Sequence, residues 1–271
     1  MTEEYRYLSI DGERIFAAVH KPLGPCTKAV VMCYPLGEEK LWAHRVFVSL
    51  SRSLCSAGIA VVRFDYRGEG DSDRVFEQAD LETRVIDTCA SIDALKVEHP
   101  TVSDITLVGL RFGTCIAAAT ASRRSDISRL VLCDPVLDGA AHMQSVLRLN
   151  LMYQMAMHRR VVENRDALAA RLADGGTVNI EGYELAGTLY MQTSAFRLRE
   201  VLDSFTGETV LVQVTQSESP VSEELTRIAE ANERCRVVAV TEEPFWRETK
   251  SFCQRSEALA TVTMSALGAA T

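Results

Sequence analysis

A chain of 271 residues that is 47% hydrophobic and 24% charged can bury one substantial core, and its composition is that of neither a disordered nor a collagen-like protein. Its net charge of -8, from 29 Lys+Arg against 37 Asp+Glu, opposes attraction to phosphate backbones and anionic lipids, so nucleic acid is not an expected partner. Eight cysteines without a C-x-x-C pair read as reduced thiols, with no disulfide framework, no metal site and no cofactor expected.

The start, Met1-Thr2-Glu3-Glu4-Tyr5-Arg6, lacks the basic and apolar regions of a signal peptide, and no apolar run approaches the roughly 20 residues of a membrane span. The expectation is a cytoplasmic protein with no membrane span. Strands are predicted at residues 14–20, 29–34, 60–64, 105–108, 130–133, 209–214 and 236–240, from short apolar runs rich in β-branched side chains. Helices are predicted at 42–57, 81–98 and 112–122; the second carries Val85, Ile86, Cys89, Ile92 and Leu95 at helical spacing and stops before Pro100. Alternating strands and helices predict an α/β fold, a mostly parallel central sheet with helices on both faces.

The alternation breaks after residue 138. Residues 140–205 read as helical without a clear strand, with helices at 143–157, 161–172 and 195–202. Two readings stand: a helical cap inserted over an active-site mouth, or a helical hairpin on the side of the sheet. Met143, Met152, Met155 and Met157 read as core filler. The stretch 257–269 reads as a final packing helix, and one domain is expected over 1–271.

The segment Ile105-Thr106-Leu107-Val108-Gly109-Leu110-Arg111-Phe112-Gly113-Thr114-Cys115 runs from a strand through G-x-X-x-G into a small-residue helix, the layout of a nucleophile elbow. Two further loops agree with it. Arg63 to Asp73, with Asp65, Arg67, Gly68, Gly70 and Ser72, resembles the loop after an early strand of the α/β-hydrolase fold, and Cys33-Tyr34-Pro35-Leu36-Gly37-Glu38-Glu39 stands where that fold offers an oxyanion-hole N–H. The apex, however, is Arg111. A guanidinium is permanently protonated and cannot attack a carbonyl. The five histidines are at 20, 44, 99, 142 and 158, none after the last strand, where a triad in the order nucleophile, acid, histidine needs its base. In the acid and base loops stand Thr215-Gln216-Ser217-Glu218-Ser219-Pro220 and Thr241-Glu242-Glu243-Pro244-Phe245-Trp246.

Arg111 therefore has two readings that do not exclude each other. It can anchor a carboxylate or phosphate at the start of a helix, with the backbone N–H groups of Phe112 and Leu36 as further donors. Or it can fill the vacated site in an ion pair with Glu38, Glu39, Glu218 or Glu242. His142 opens the cap, and Trp246 with Phe245 offers an apolar wall. Catalysis, if any, would be non-covalent, with water activated by Glu242, Glu243 or Glu218 and an oxyanion held by Arg111 and backbone N–H groups.

Pro35-Leu36-Gly37-Glu38-Glu39, Gly109-Leu110-Arg111-Phe112-Gly113, Asp134-Pro135-Val136-Leu137-Asp138-Gly139 with Val146-Leu147-Arg148-Leu149, and Pro244-Phe245-Trp246 together resemble the second type of exosortase-A-system-associated hydrolase, within the α/β-hydrolase superfamily and similar to serine aminopeptidases. The resemblance implies that arginine at the elbow is a family trait. It also implies an association with bacterial exopolysaccharide production and protein sorting. The chain departs from that pattern in Asp134, where an amide is usual, and in a single proline before Leu36. The expected function is binding or non-covalent processing of a small anionic or acyl ligand. A non-catalytic scaffold and a lyase or isomerase are the alternatives, and a homodimer is left open.

Overall fold

The computed structural model describes residues 1–248 and 253–269. In chain order the elements are β1 (Thr2–Ile10), β2 (Glu13–Lys21), β3 (Lys28–Cys33), α1 (Glu38–Ser56), β4 (Ala60–Phe64), α2 (Leu81–Glu98), β5 (Asp104–Leu110), α3 (Gly113–Ala121) and β6 (Ile127–Cys133). An inserted segment follows, with α4 (Gly139–His158), α5 (Arg165–Ala173), the hairpin β7 (Thr177–Ile180) and β8 (Tyr183–Ala186), α6 (Gly187–Ala195) and α7 (Leu198–Ser204). The chain then returns through β9 (Glu208–Thr215), α8 (Glu223–Glu230), β10 (Cys235–Thr241) and α9 (Glu257–Ala266).

The main sheet has eight strands in the order β1-β2-β4-β3-β5-β6-β9-β10. β1 and β2 are antiparallel, as are β2 and β4; every later pair is parallel. This is the α/β-hydrolase fold. The central strands are near-continuous apolar runs because both their faces are covered: Ala29 to Cys33 of β3 and Ile105 to Leu110 of β5 are buried throughout, Thr106 being the one polar side chain among them. α1 touches α9 on one side of the sheet, and α2 touches α3 on the other. Among the described residues no helix is long and apolar enough to cross a membrane.

The expected strands and helices of the main sheet all form, but two hairpins were not anticipated. β1 is the edge strand, joined to β2 through Asp11 and Gly12 at φ of 50° and 86°, the left-handed pair that a two-residue hairpin turn requires. Its apolar content is low because Tyr5 and Tyr7 face solvent. The inserted segment is not purely helical: β7 and β8 pair across Glu181 and Gly182, at φ of 52° and 95°. Val178, Ile180 and Leu185 are buried, whereas Thr177 and Asn179 are exposed, an alternation too short to stand out in a helical background.

The methionines divide as well. Met143 is buried with Leu147, Asn150 and Gln154 on one stripe of α4, but Met152, Met155 and Met157 lie off that stripe and are exposed. Reading them as core filler is corrected for those three.

Candidate functional site

The site grows from the turn between β5 and α3. A Cβ on Gly109 would lie 2.7 Å from the Gly113 oxygen, and one on Gly113 would lie 2.1 Å from the Cys33 oxygen, so both glycines are needed for helix and strand to approach this closely. Between them Arg111 takes a φ of 52°, the left-handed conformation that lifts the apex of such a turn above the sheet. Its N–H donates to the Cys133 oxygen at 2.9 Å. Its own oxygen accepts from the Thr114 N–H at 2.9 Å and the Thr114 hydroxyl at 2.6 Å. That hydroxyl also accepts from the Val136 N–H at 3.1 Å, tying the elbow to the loop after β6.

The guanidinium is held by two carboxylates. Nε donates to Glu39 at 3.2 Å and Nη1 to Asp134 at 2.9 Å, and the side chain is 19% exposed. Nη2 has no protein acceptor among the described residues. Burial raises the Glu39 carboxyl above the usual carboxylate range, and the Arg111 charge only partly offsets it. Among the described residues the N–H groups of Leu36 and Phe112 also lack acceptors. The elbow thus puts a positive apex where the fold's nucleophile would stand.

His142, in the first turn of α4, stacks on Phe112 with ring centroids 6.1 Å apart and an interplanar angle of 17°. Its Nε2 is shielded and unpartnered. Burial first, and the Arg111 charge second, push its pKa from 6.5 down to about 3. Unfolding restores the ordinary value, so the unfolded chain takes up this proton first and stability is lost as pH falls from 6.5 toward 3. His142→Asn is expected to flatten that part of the stability–pH curve, and the His142 ring in the parent should show no NMR titration near pH 6.5. A midpoint there would mean that the ring is hydrated.

Leu36, Glu38, Glu39, Arg111, His142 and Trp246 line one cavity of about 850 Å³ between the sheet and the inserted segment. Its walls are mainly apolar, with Phe76, Leu149, Ile180, Leu185 and Trp246 among the residues that line it. Trp246 is buried and packs edge-on against Phe245 at 5.1 Å. Phe112 sits beneath His142, fully buried.

The three glutamates read as water-activating bases do not join this set. Glu218 and Glu243 are exposed, and Glu242 accepts from the Ser256 hydroxyl at 2.5 Å. They follow β9 and β10, the outer strands of the sheet, and none lines the cavity. The ion-pair partners foreseen for Arg111 are corrected accordingly: Glu39 is one, Glu38, Glu218 and Glu242 are not, and Asp134 is the second. Asp134 was missed because what places it is strand order, which has no local signal. β5 and β6 are parallel neighbours with Leu110 opposite Cys133, so the residues just after them, Arg111 and Asp134, must emerge side by side. Tyr183 and Arg148 are also on the cavity wall; Tyr183 had no sequence signal, and Arg148 stood in a resemblance motif without being read as a site residue. Cys33 and Cys115 are buried, with the Cys33 thiol pushed up to about 12 by burial and the Cys115 thiol also raised, so neither is a nucleophile.

A family model described as serine aminopeptidase, S33, matches residues 27–181. No curated protein sequence matches the chain. Among solved structures it is similar to Est1E from Butyrivibrio proteoclasticus with ferulic acid bound, at 20% identity and a TM-score of 0.66, over 96% of this chain and 95% of that one. It is likewise similar to DcsB in complex with its substrate analogue, at 18% identity and a TM-score of 0.65, over 98% of both chains. A thioesterase domain from the curacin biosynthetic pathway matches at 19% identity and a TM-score of 0.57, over 98% of this chain and 100% of that one.

Proposed function

The chain belongs to the serine aminopeptidase S33 family of α/β-hydrolases, and within it we propose that this member binds a small acyl ligand without forming an acyl-enzyme. The ligand's carbonyl or carboxyl head lies at Arg111 and its apolar chain along the cavity, with the inserted segment acting as cap. The observation that carries this reading is the Nη2 of Arg111 without a protein acceptor among the described residues, at the floor of a mainly apolar cavity of about 850 Å³ that Leu36 also lines. Such a floor suits an oxygen acceptor, and the walls suit a hydrocarbon.

Electrostatics narrows the ligand. Glu39 and Asp134 already face the Arg111 guanidinium, so this anchor point offers little net positive charge to a bare anion. A neutral ester or acid carbonyl fits directly, and a carboxylate fits when its arrival places a proton on Glu39, whose pKa burial already raises. Any turnover would then be attack of water on a carbonyl polarised by Arg111 and backbone N–H groups, with Glu39 as the proton acceptor. The exosortase-associated subgroup and its exopolysaccharide context enter this proposal through the motifs alone.

The test combines reactivity with binding. A fluorophosphonate probe is expected to label no serine. Straight-chain alkanoic acids and their methyl esters should raise the melting temperature more as the chain lengthens, since each buried methylene adds about 0.8 kcal/mol. Stoichiometric labelling of a serine would sink the chemistry, and a response independent of chain length would sink the ligand class.

A further inference from the structure

The inserted segment carries exposed apolar surface that runs from the rim of the cavity to residues outside its lining. On α4, Met152 and Met155 are 69% and 50% exposed, with exposed Arg148 one turn before them on the same stripe, and exposed Arg159 follows as the left-handed residue that ends the helix. The loop that follows presents Arg160, Val161 and Val162, and α5 opens with Arg165, all exposed. The shape of this loop is fixed from beneath. The buried Gln154 side chain accepts from the N–H groups of Val162 and Glu163 at 2.6 and 2.9 Å and donates to the Glu163 oxygen at 2.9 Å. None of Arg148, Arg159, Arg160 and Arg165 pairs with a carboxylate among the described residues; Arg148 bonds only to the Gln144 oxygen and the Ser145 hydroxyl.

In a chain of net charge -8, this stripe is a local reversal of sign. Screening over about 8–10 Å keeps much of the remaining charge from reaching it. We infer that the stripe docks the protein on an anionic phospholipid bilayer, with Met152, Met155, Val161 and Val162 entering the headgroup boundary and the four arginines meeting lipid phosphates. An apolar ridge flanked by arginines is the pattern of an interfacial helix. A second copy is a poorer occupant, because a two-fold contact through this stripe would set arginines against arginines. Arg148, Met152 and Tyr153 also line the cavity, so a docked bilayer would face its mouth. Passage of an acyl ligand from bilayer to cavity rests on the function proposed above; the docking itself does not.

The full chain is sedimented with phosphatidylcholine vesicles and with vesicles of phosphatidylcholine and phosphatidylglycerol. Binding is expected to the second only, and to weaken with added salt. Arg159→Gln/Arg160→Gln should lower partitioning about 25-fold, at about fivefold per surface arginine, and Met152→Ser/Met155→Ser should lower it with the charge unchanged. Arg111→Ala, which bears on the ligand reading, should sediment like the parent. The inference is overturned if anionic vesicles bring down no protein at low salt, if the arginine pair can be replaced without loss, or if Arg111→Ala alone abolishes binding and so places the lipid in the cavity. It is also overturned if light scattering finds a dimer that Met152→Ser/Met155→Ser splits.

Discussion

Arg111→Ala is expected to abolish the chain-length-dependent stabilisation by alkanoic acids and esters while leaving a folded protein. The substitution removes the only donors on the cavity floor that come from a side chain at the elbow apex, and it leaves Glu39 and Asp134 facing each other without their shared cation. Those two carboxylates retain 25% and 29% side-chain exposure, so water reaches them and the cost falls well short of that of breaking a fully buried pair; about 1–2 kcal/mol is expected. Arg111→Lys separates the roles. An ammonium keeps the charge that holds the two acids but lacks the planar fork, so stability should be largely retained while ligand response falls. Thermal denaturation of the parent and both variants, with and without decanoate and methyl decanoate, measures both effects. Equal ligand shifts in parent and Arg111→Ala would remove Arg111 from the binding site.

Gly113→Ala should be the most damaging single methyl group that the elbow can receive. Its Cβ would lie 2.1 Å from the Cys33 oxygen and 2.7 Å from the Tyr34 oxygen. Both are backbone atoms of the strand end and loop beside the elbow, so no side chain can swing aside. α3 must move off β3, and with it goes the Thr114 hydroxyl that ties Arg111 to Val136. A loss of about 4 kcal/mol or more is expected, at the extreme of single substitutions. Gly58→Ala provides the comparison: at φ +85° and with nothing within 4 Å of its Cβ, it should cost about 1 kcal/mol from backbone strain alone. Urea midpoints of the two variants decide the matter, and similar losses would mean that the elbow tolerates expansion.

Much of the scaffold was legible in the sequence because its signals are local. The near-continuous apolar runs at β3 and β5 announce strands covered on both faces, and Gly109 and Gly113 around Arg111 announce a strand turning sharply into a helix. The hairpins were harder for different reasons. β1 carries outward tyrosines and acids instead of an apolar run, although Asp11-Gly12 was a usable turn signal. β7 and β8 are four residues each, too short for periodicity to separate from the helices around them.

What the sequence determined by itself is the chemistry at the elbow: a guanidinium at position 111 and no histidine after residue 158 are facts of covalent structure that no folding can alter. What only the tertiary structure decided is which charges meet that guanidinium. Glu39 lies in the first turn of the helix after β3, and Asp134 follows β6; both converge on Arg111 because β3 and β6 flank β5 in parallel and all three end at the same edge of the sheet. Glu218 and Glu242 follow strands farther out and remain apart. Long-range strand order carries no local signature, so the acids that complete the site were fixed by strand neighbours and not by spacing along the chain.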